Sequence, residues 1–148
     1  MSVLEDILEN IGKFINNSNE RWKNVFIVYN EHLITPQTEL PAIVIQPEGL
    51  LINNNLGCFD QETIIKLMLY LSEPDKINVI RTAWNFQEDV LKRFKEPSQV
   101  LSIHENIVSM EYDSVEEVKT LMLQKKGAGE YTFLADVVTI NFKLKYTI

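Results

Sequence analysis

At 148 residues, 45% apolar and 24% charged, the chain has the size and composition of one ordinary globular domain, able to bury roughly 70% of its unfolded surface without staples. A net charge of −7 argues against a protein that wraps nucleic acid, because Lys and Arg supply most non-specific phosphate affinity. A lone cysteine, Cys58, excludes an internal disulfide and fits a reducing compartment, and no apolar run approaches the ~20 residues of a membrane span.

The opening, Met1 to Asp6, is acidic and lacks the basic start of a signal peptide, so none is expected. Ser2 and Glu5 form a capping box. Val3, Leu4, Ile7, Leu8, Ile11, Phe14 and Ile15 come next at three- and four-residue spacing. They predict an amphipathic helix that ends near Asn16–Asn19 and packs on a sheet. Val25–Tyr29 reads as a short strand, and Leu40–Pro47 as a second one bracketed by Pro41 and Pro47. Residues 48–62 read as a loop or loose hairpin. It contains the apolar triplet Leu50, Leu51 and Ile52, which is either tucked under or offered to a partner.

Thr63–Leu71 alternates with both faces largely apolar, as a central strand does. Ser72, Pro74 and Asp75 then predict the start of the main helix, about 74–94, with Ser72 as its cap. Ile77, Ile80, Ala83, Trp84, Val90, Leu91 and Phe94 are expected to line its buried side, and Pro97 to act as a helix stop. Val100–Tyr112 holds two β-like runs, with a phase slip at Glu105–Asn106 that predicts a turn or bulge. Ser114 and Glu117 form another capping box. With Val115, Val118, Leu121 and Met122 they predict a short helix over Ser114–Lys126. Gly127–Gly129 leads into the final segment, Tyr131–Ile148. Its even positions, from Leu134 to Ile148, are almost all apolar. Its odd positions from Thr139 are polar: Thr139, Asn141, Lys143, Lys145 and Thr147. Strict period two over this length predicts a long C-terminal strand, the spine of the sheet. The fold class expected is α+β: a mostly antiparallel sheet, an N-terminal helix and a main helix packed on it, in a single domain over 1–148.

Chemistry-bearing motifs are absent from the sequence. His32 and His104 lie far apart with no cysteine near either, which fits ordinary surface histidines better than a metal site. Cys58 has no adjacent base and reads as a small apolar side chain. Pairs such as Glu88–Asp89 and Glu116–Glu117 read as solvated faces, and no phosphate-cradling or nucleophile motif occurs. The basic groups Lys92-Arg93-Phe94-Lys95 and Lys125-Lys126 admit a DNA contact, but bases at a helix C-terminus also complement its dipole, and in an acidic chain that explanation is preferred. No catalytic residue, cofactor or metal is expected.

The order of elements resembles the tail terminator and related neck-ring or tail-completion proteins of tailed phages. The features that carry the resemblance are the helix Ser2–Ile15, the segment Leu40–Pro47, the strand Thr63–Leu71 leading directly into the helix Pro74–Phe94, and the alternating strand ending at Ile148. The resemblance implies a non-enzymatic virion protein, assembled in the host cytoplasm, that forms a homo-oligomeric ring, a hexamer or larger. Such a ring ends tail-tube assembly, seats the tail on the connector and leaves a channel for DNA. Acidic walls would let DNA slide rather than bind. The candidate subunit or partner interface is Leu50, Leu51 and Ile52 together with Phe133, Val137, Thr139, Asn141, Lys143 and Lys145 of the final strand, which is expected to join a neighbour by sheet-edge addition. The alternative is a small adaptor, monomeric or dimeric, that binds through the same edge.

Overall fold

Ser2 caps the first helix as its sequence predicts. Its Oγ accepts a hydrogen bond from the Glu5 N–H at 3.1 Å, and α1 runs Val3–Asn16. The computed structural model describes residues 2–35, 37–48, 53–54, 60–124 and 132–148. After α1 come β1 (Phe26–Val28), β2 (Ala42–Pro47), β3 (Asn53–Asn54) and β4 (Asp60–Leu71). Next are α2 (Lys76–Arg93), α3 (Pro97–Leu101), β5 (Ile107–Gln124) and β6 (Thr132–Thr147). The strands form one sheet in the order β1-β2-β4-β6-β5, with β3 also pairing β4. Among the described residues only β1 and β2 run parallel; the other pairs are antiparallel.

Period-two patterning decides which face each side chain takes. Ile65, Leu67 and Leu69 of β4 sit beside Phe142, Ile140 and Val138 of β6, and Leu67 and Leu69 beside Ile45 and Ile43 of β2. Both long helices pack on that face. α1 buries Ile7, Leu8, Ile11 and Ile15, and α2 buries Val79, Ala83, Phe86 and Val90. Each large apolar side chain among them contributes about 1.5–3 kcal/mol on leaving water. Aromatic edges lock the layer: Trp22 meets Phe86 at 5.3 Å, and Phe94 lies 5.1 Å from both Phe14 and Phe142. Gly12 stands on the inner face of α1, where a Cβ would come within 2.6 Å of the Tyr29 hydroxyl. A smaller core forms on the opposite face, where Ile34 and Leu40 join Ala42, Val44, Met68, Tyr70, Ala135 and Val137.

The α+β class, the N-terminal helix, the main helix and the long final strand are all present. Several finer expectations are corrected. The cap of α2 is Asp75, not Ser72; its Oδ1 accepts from the Ile77 N–H at 2.9 Å. Ile77, Ile80 and Trp84 do not line the buried side of α2: they are 59%, 45% and 61% exposed. The helix carries two apolar stripes, and Val79, Ala83, Phe86 and Val90 form the buried one. Pro97 starts a helix instead of stopping one, since proline suits a first helical position, and the run Val100–Ile103 is therefore not a strand. β4 begins at Asp60 rather than Thr63, and Asn53–Asn54 pairs antiparallel with Gln61 and Glu62, so of the two readings of 48–62 the hairpin is the one the described residues bear out.

The largest correction is Ser114–Lys126. No helix forms over Ser114–Gln124, because β5 continues unbroken to Gln124, paired with β6. Register shifts fall between Tyr112 and Ser114 and between Glu116 and Lys119. Each extra residue moves the alternation by one, so Val115, Val118 and Leu121 acquire a helix-like spacing in the sequence while lying in a strand.

Candidate functional site

The proposed interface residues Val137, Thr139, Asn141, Lys143 and Lys145 of the final strand lie on the sheet face opposite the two long helices. Val137, Thr139 and Asn141 are nevertheless buried, and Lys143 and Lys145 are progressively more exposed. β6 is flanked by β4 along one side and β5 along the other, so it is not an edge strand over Asp136–Thr147. Sheet-edge addition through this part of β6 is thereby corrected: both rows of its backbone groups are already committed to neighbours. Phe133 belongs to the part of β6 that pairs only with β5 among the described residues, opposite Leu123. Leu50, Leu51 and Ile52 lie outside the described residues, as do Cys58, Lys125 and Lys126.

The bulges in β5 bring side chains together across the face that β6 occupies. Lys66 of β4 reaches past Asn141 to Glu116 of β5, with Nζ 3.0 Å from Oε2. The Asn141 amide donates to the same oxygen at 3.2 Å and to Ser114 Oγ at 3.1 Å, and Lys119 Nζ stands 3.5 Å from Oε1. The hydrogen bond from Lys66, helped by Asn141 and Lys119, holds the Glu116 carboxyl below its ordinary value in spite of the opposing effect of burial. This network borders a trough of about 360 Å³ whose lining includes Glu31, Gln46, Lys66, Glu116 and Thr139. A carboxylate saturated in this way is a poor proton shuttle; the arrangement braces the bulged stretch of β5 against β6 and β4.

Several other polar groups are also engaged. His104 Nε2 lies 2.8 Å from Asp6 Oδ2, and Nδ1 accepts from the Asn106 N–H at 3.0 Å. This ties α1 to the turn before β5. Arg93 of the basic cluster stacks its guanidinium 4.2 Å from the Phe14 ring and donates to Gln99 at 3.3 Å, which is a packing role. Asp89 accepts from the Trp22 indole at 2.8 Å and joins α2 to the segment after α1. Asp136, an acid on the helix-facing side of β6, is 5% exposed and is satisfied by Lys76 at 3.0 Å and Thr120 at 2.7 Å. Among the described residues no group of three or more His, Cys, Asp or Glu is placed to hold a metal, and no helix is long and apolar enough to cross a membrane.

Three uncovered surfaces stand out among the described residues. The first is the outer stripe of α2, where Ile77, Ile80 and Trp84 stand at i, i+3 and i+7. The second is the free edge of β5, beside an apolar groove of about 320 Å³ between α3 and β5. Val100 and Leu101 form one wall of the groove, Val108, Met110 and Tyr112 the other, and Phe142 also lines it. The third is a projection. β4 ends opposite Asp136, yet β5 and β6 continue to pair through four more positions, Leu121–Gln124 with Thr132–Ala135. The sequence carried a signal for the first surface, namely two apolar stripes on one helix. It carried none for the groove, which depends on where α3 lands. Comparison with models of known protein families finds no match to this chain, and comparison with curated proteins finds none.

Proposed function

We propose that the chain is a non-enzymatic structural subunit of the virion of a tailed phage, a tail terminator or neck ring, that assembles as a homo-oligomer of six or more copies. Its work is mechanical: it ends tube growth, joins the tail tube to the connector, and surrounds DNA that passes without specific binding. The observation that carries the reading is the outer stripe of α2. Ile77, Ile80 and Trp84 form a row of large apolar side chains in water, with an exposed tryptophan at one end. Rows of this kind mark protein–protein contacts, and tryptophan is enriched among the residues that dominate them. The free β5 edge and the projecting hairpin add two further surfaces, so one subunit has enough distinct faces to meet neighbours on more than one side. The net charge of −7 suits a channel wall that repels phosphate.

Light scattering behind a sizing column, followed by negative-stain imaging, tests the reading. Closed rings that are lost in Trp84→Glu, with folding intact by circular dichroism, are the expected result. A chain that stays monomeric at high concentration and fails to bind isolated tail tubes would leave the adaptor reading in its place.

A further inference from the structure

The geometry points to the contact that joins one copy to the next: the outer stripe of α2, led by Trp84, docks in the apolar groove between α3 and β5 of a neighbouring copy. This inference rests on the self-assembly reading above and adds which two surfaces meet.

The stripe is a ridge. Ile77, Ile80 and Trp84 have the i, i+3, i+7 spacing with which an amphipathic helix presents its anchors to a groove. From Ile77 to Trp84 the ridge is about 10.5 Å long. On the inner side of the same helix, Val79, Ala83, Phe86 and Val90 fix it to the sheet. The ridge is therefore already ordered, and binding spends little on immobilising it.

The groove is its counterpart. Its strand wall, Val108 to Tyr112, spans about 13 Å, close to the length of the ridge. A cavity of about 150 Å³ holds a benzene molecule. The groove, about 320 Å³, is roughly twice that, which is room for an indole ring beside one isoleucine side chain. Leu101, Val108 and Tyr112 are each about half exposed there. One pair of charges completes the match. Arg81 stands beside the ridge one turn before Trp84, and Glu111 lines the strand wall; both are exposed, and neither has an ion pair among the described residues. Lys143, opposite Glu111 in register, instead lies 3.7 Å from Glu62. Elsewhere the rims carry both signs. Lys95 and Glu96 stand on the helical side, and Asp113, Glu117 and Lys119 lie farther along β5, so a single pairing and not bulk charge sets the register.

A copy cannot fill its own groove. Trp84 precedes Phe94, which lines the groove, by ten residues of one helix, about 15 Å, and Trp84 is exposed where Phe94 is buried. Ridge and groove are therefore different surfaces on different copies. Such a contact is head-to-tail, and head-to-tail contacts generate closed rings when the rotation between copies is right. The alternative pairs two stripes about a two-fold axis, with Arg81 of each against Glu88 of the other. That arrangement leaves the groove in water and stops at two copies.

The test begins with a charge swap inside one chain, read by light scattering behind a sizing column. Arg81→Glu alone and Glu111→Arg alone should each raise the concentration needed for assembly about tenfold or more. The double variant should return to within about threefold of wild type, because every copy then offers the reversed pair. Two further variants carry complementary defects at exposed positions. Trp84→Glu removes the ridge and leaves the groove, while Leu101→Glu with Val108→Lys blocks the groove and leaves the ridge. Circular dichroism checks that each variant is folded. Neither should assemble alone, and the two mixed should give a one-to-one dimer that grows no further. Wild-type rings that persist when the groove is blocked would overturn the inference and leave the ring reading standing. Rescue of Arg81→Glu by Glu88→Arg and not by Glu111→Arg would overturn it in favour of the two-fold pairing. A wild-type oligomer that is not a closed ring, yet is lost in each single charge variant and restored by the swap, would support the docking and overturn the ring. A wild-type monomer, with no complex in the mixture, would overturn the inference.

Discussion

Removing the charge of Glu116 should cost stability in proportion to how far its ion pair has left water. Lys66 and Glu116 are 23% and 28% exposed at their side chains, between a surface pair and a buried one. At 3.0 Å and an effective dielectric constant of about 40–80, the gross attraction is about 1.4–2.8 kcal/mol. Desolvation and the ordering of two long side chains take back about half, which leaves a coupling of about 1 kcal/mol. Glu116→Gln, Lys66→Met and the double variant form a cycle that isolates this coupling by urea denaturation. The pH dependence has a definite sign. The folded-state value of Glu116 is lowered, so its contribution is complete above the ordinary glutamate range. It is lost as pH falls through the folded-state value. Wild type should therefore lose more stability than Glu116→Gln as the solution is acidified from about pH 6 to about pH 3. A coupling below about 0.3 kcal/mol at neutral pH, or equal pH slopes for the two proteins, would refute the argument that this network braces the sheet.

Phe86→Ala, at a fully buried position against Trp22, should cost about 3–5 kcal/mol in chemical denaturation, whereas Trp84→Ala on the outer stripe should stay within about 0.5 kcal/mol and weaken assembly instead. Asp136→Ala should lower stability by about 1–3 kcal/mol, because the charge-assisted bonds of a buried carboxylate to Lys76 and Thr120 are lost where the projecting hairpin leaves the sheet; hydrogen exchange should rise first in Leu121–Gln124. Gly12→Ala gains about 1 kcal/mol of helix propensity but must displace the Tyr29 hydroxyl, so the gain should appear in full only beside Tyr29→Phe, measured by thermal melts of the two backgrounds.

Whatever depends on local period could be read from the residues. Ser2 with Glu5, the stripe from Ile7 to Ile15, and the alternation from Val138 to Tyr146 each report their own environment, and each was legible. The failures came where a second influence overlay the first. In β5 the bulges shifted the alternation and imitated a helix near Val115–Leu121. On α2 two apolar stripes competed, and the sequence does not rank Val79 and Phe86 above Ile77 and Trp84; only the position of the sheet does. Asn141 and Thr139 read as a solvent-facing row because they are polar. They are buried because β6 runs between β4 and β5 and because Lys66 and Glu116 meet above Asn141. That placement is a matter of strand order, which alternation within one strand does not encode.

The strand order also has a consequence in time. β6 follows β5 in the chain, yet it separates β4 from β5, which share no ladder among the described residues. During synthesis β4 emerges with its long edge open, and β5 comes next with nothing to pair with. Until residues 132–147 are added, the apolar faces of both strands wait beside helices that lack half their sheet. The contacts that close the fold span up to 87 residues, from Asp60 to Thr147, and such long closures are slow. The growing chain is thus most exposed to wrong strand partners just before β6 emerges. The sixteen residues of β6 act as the insert that joins two waiting halves.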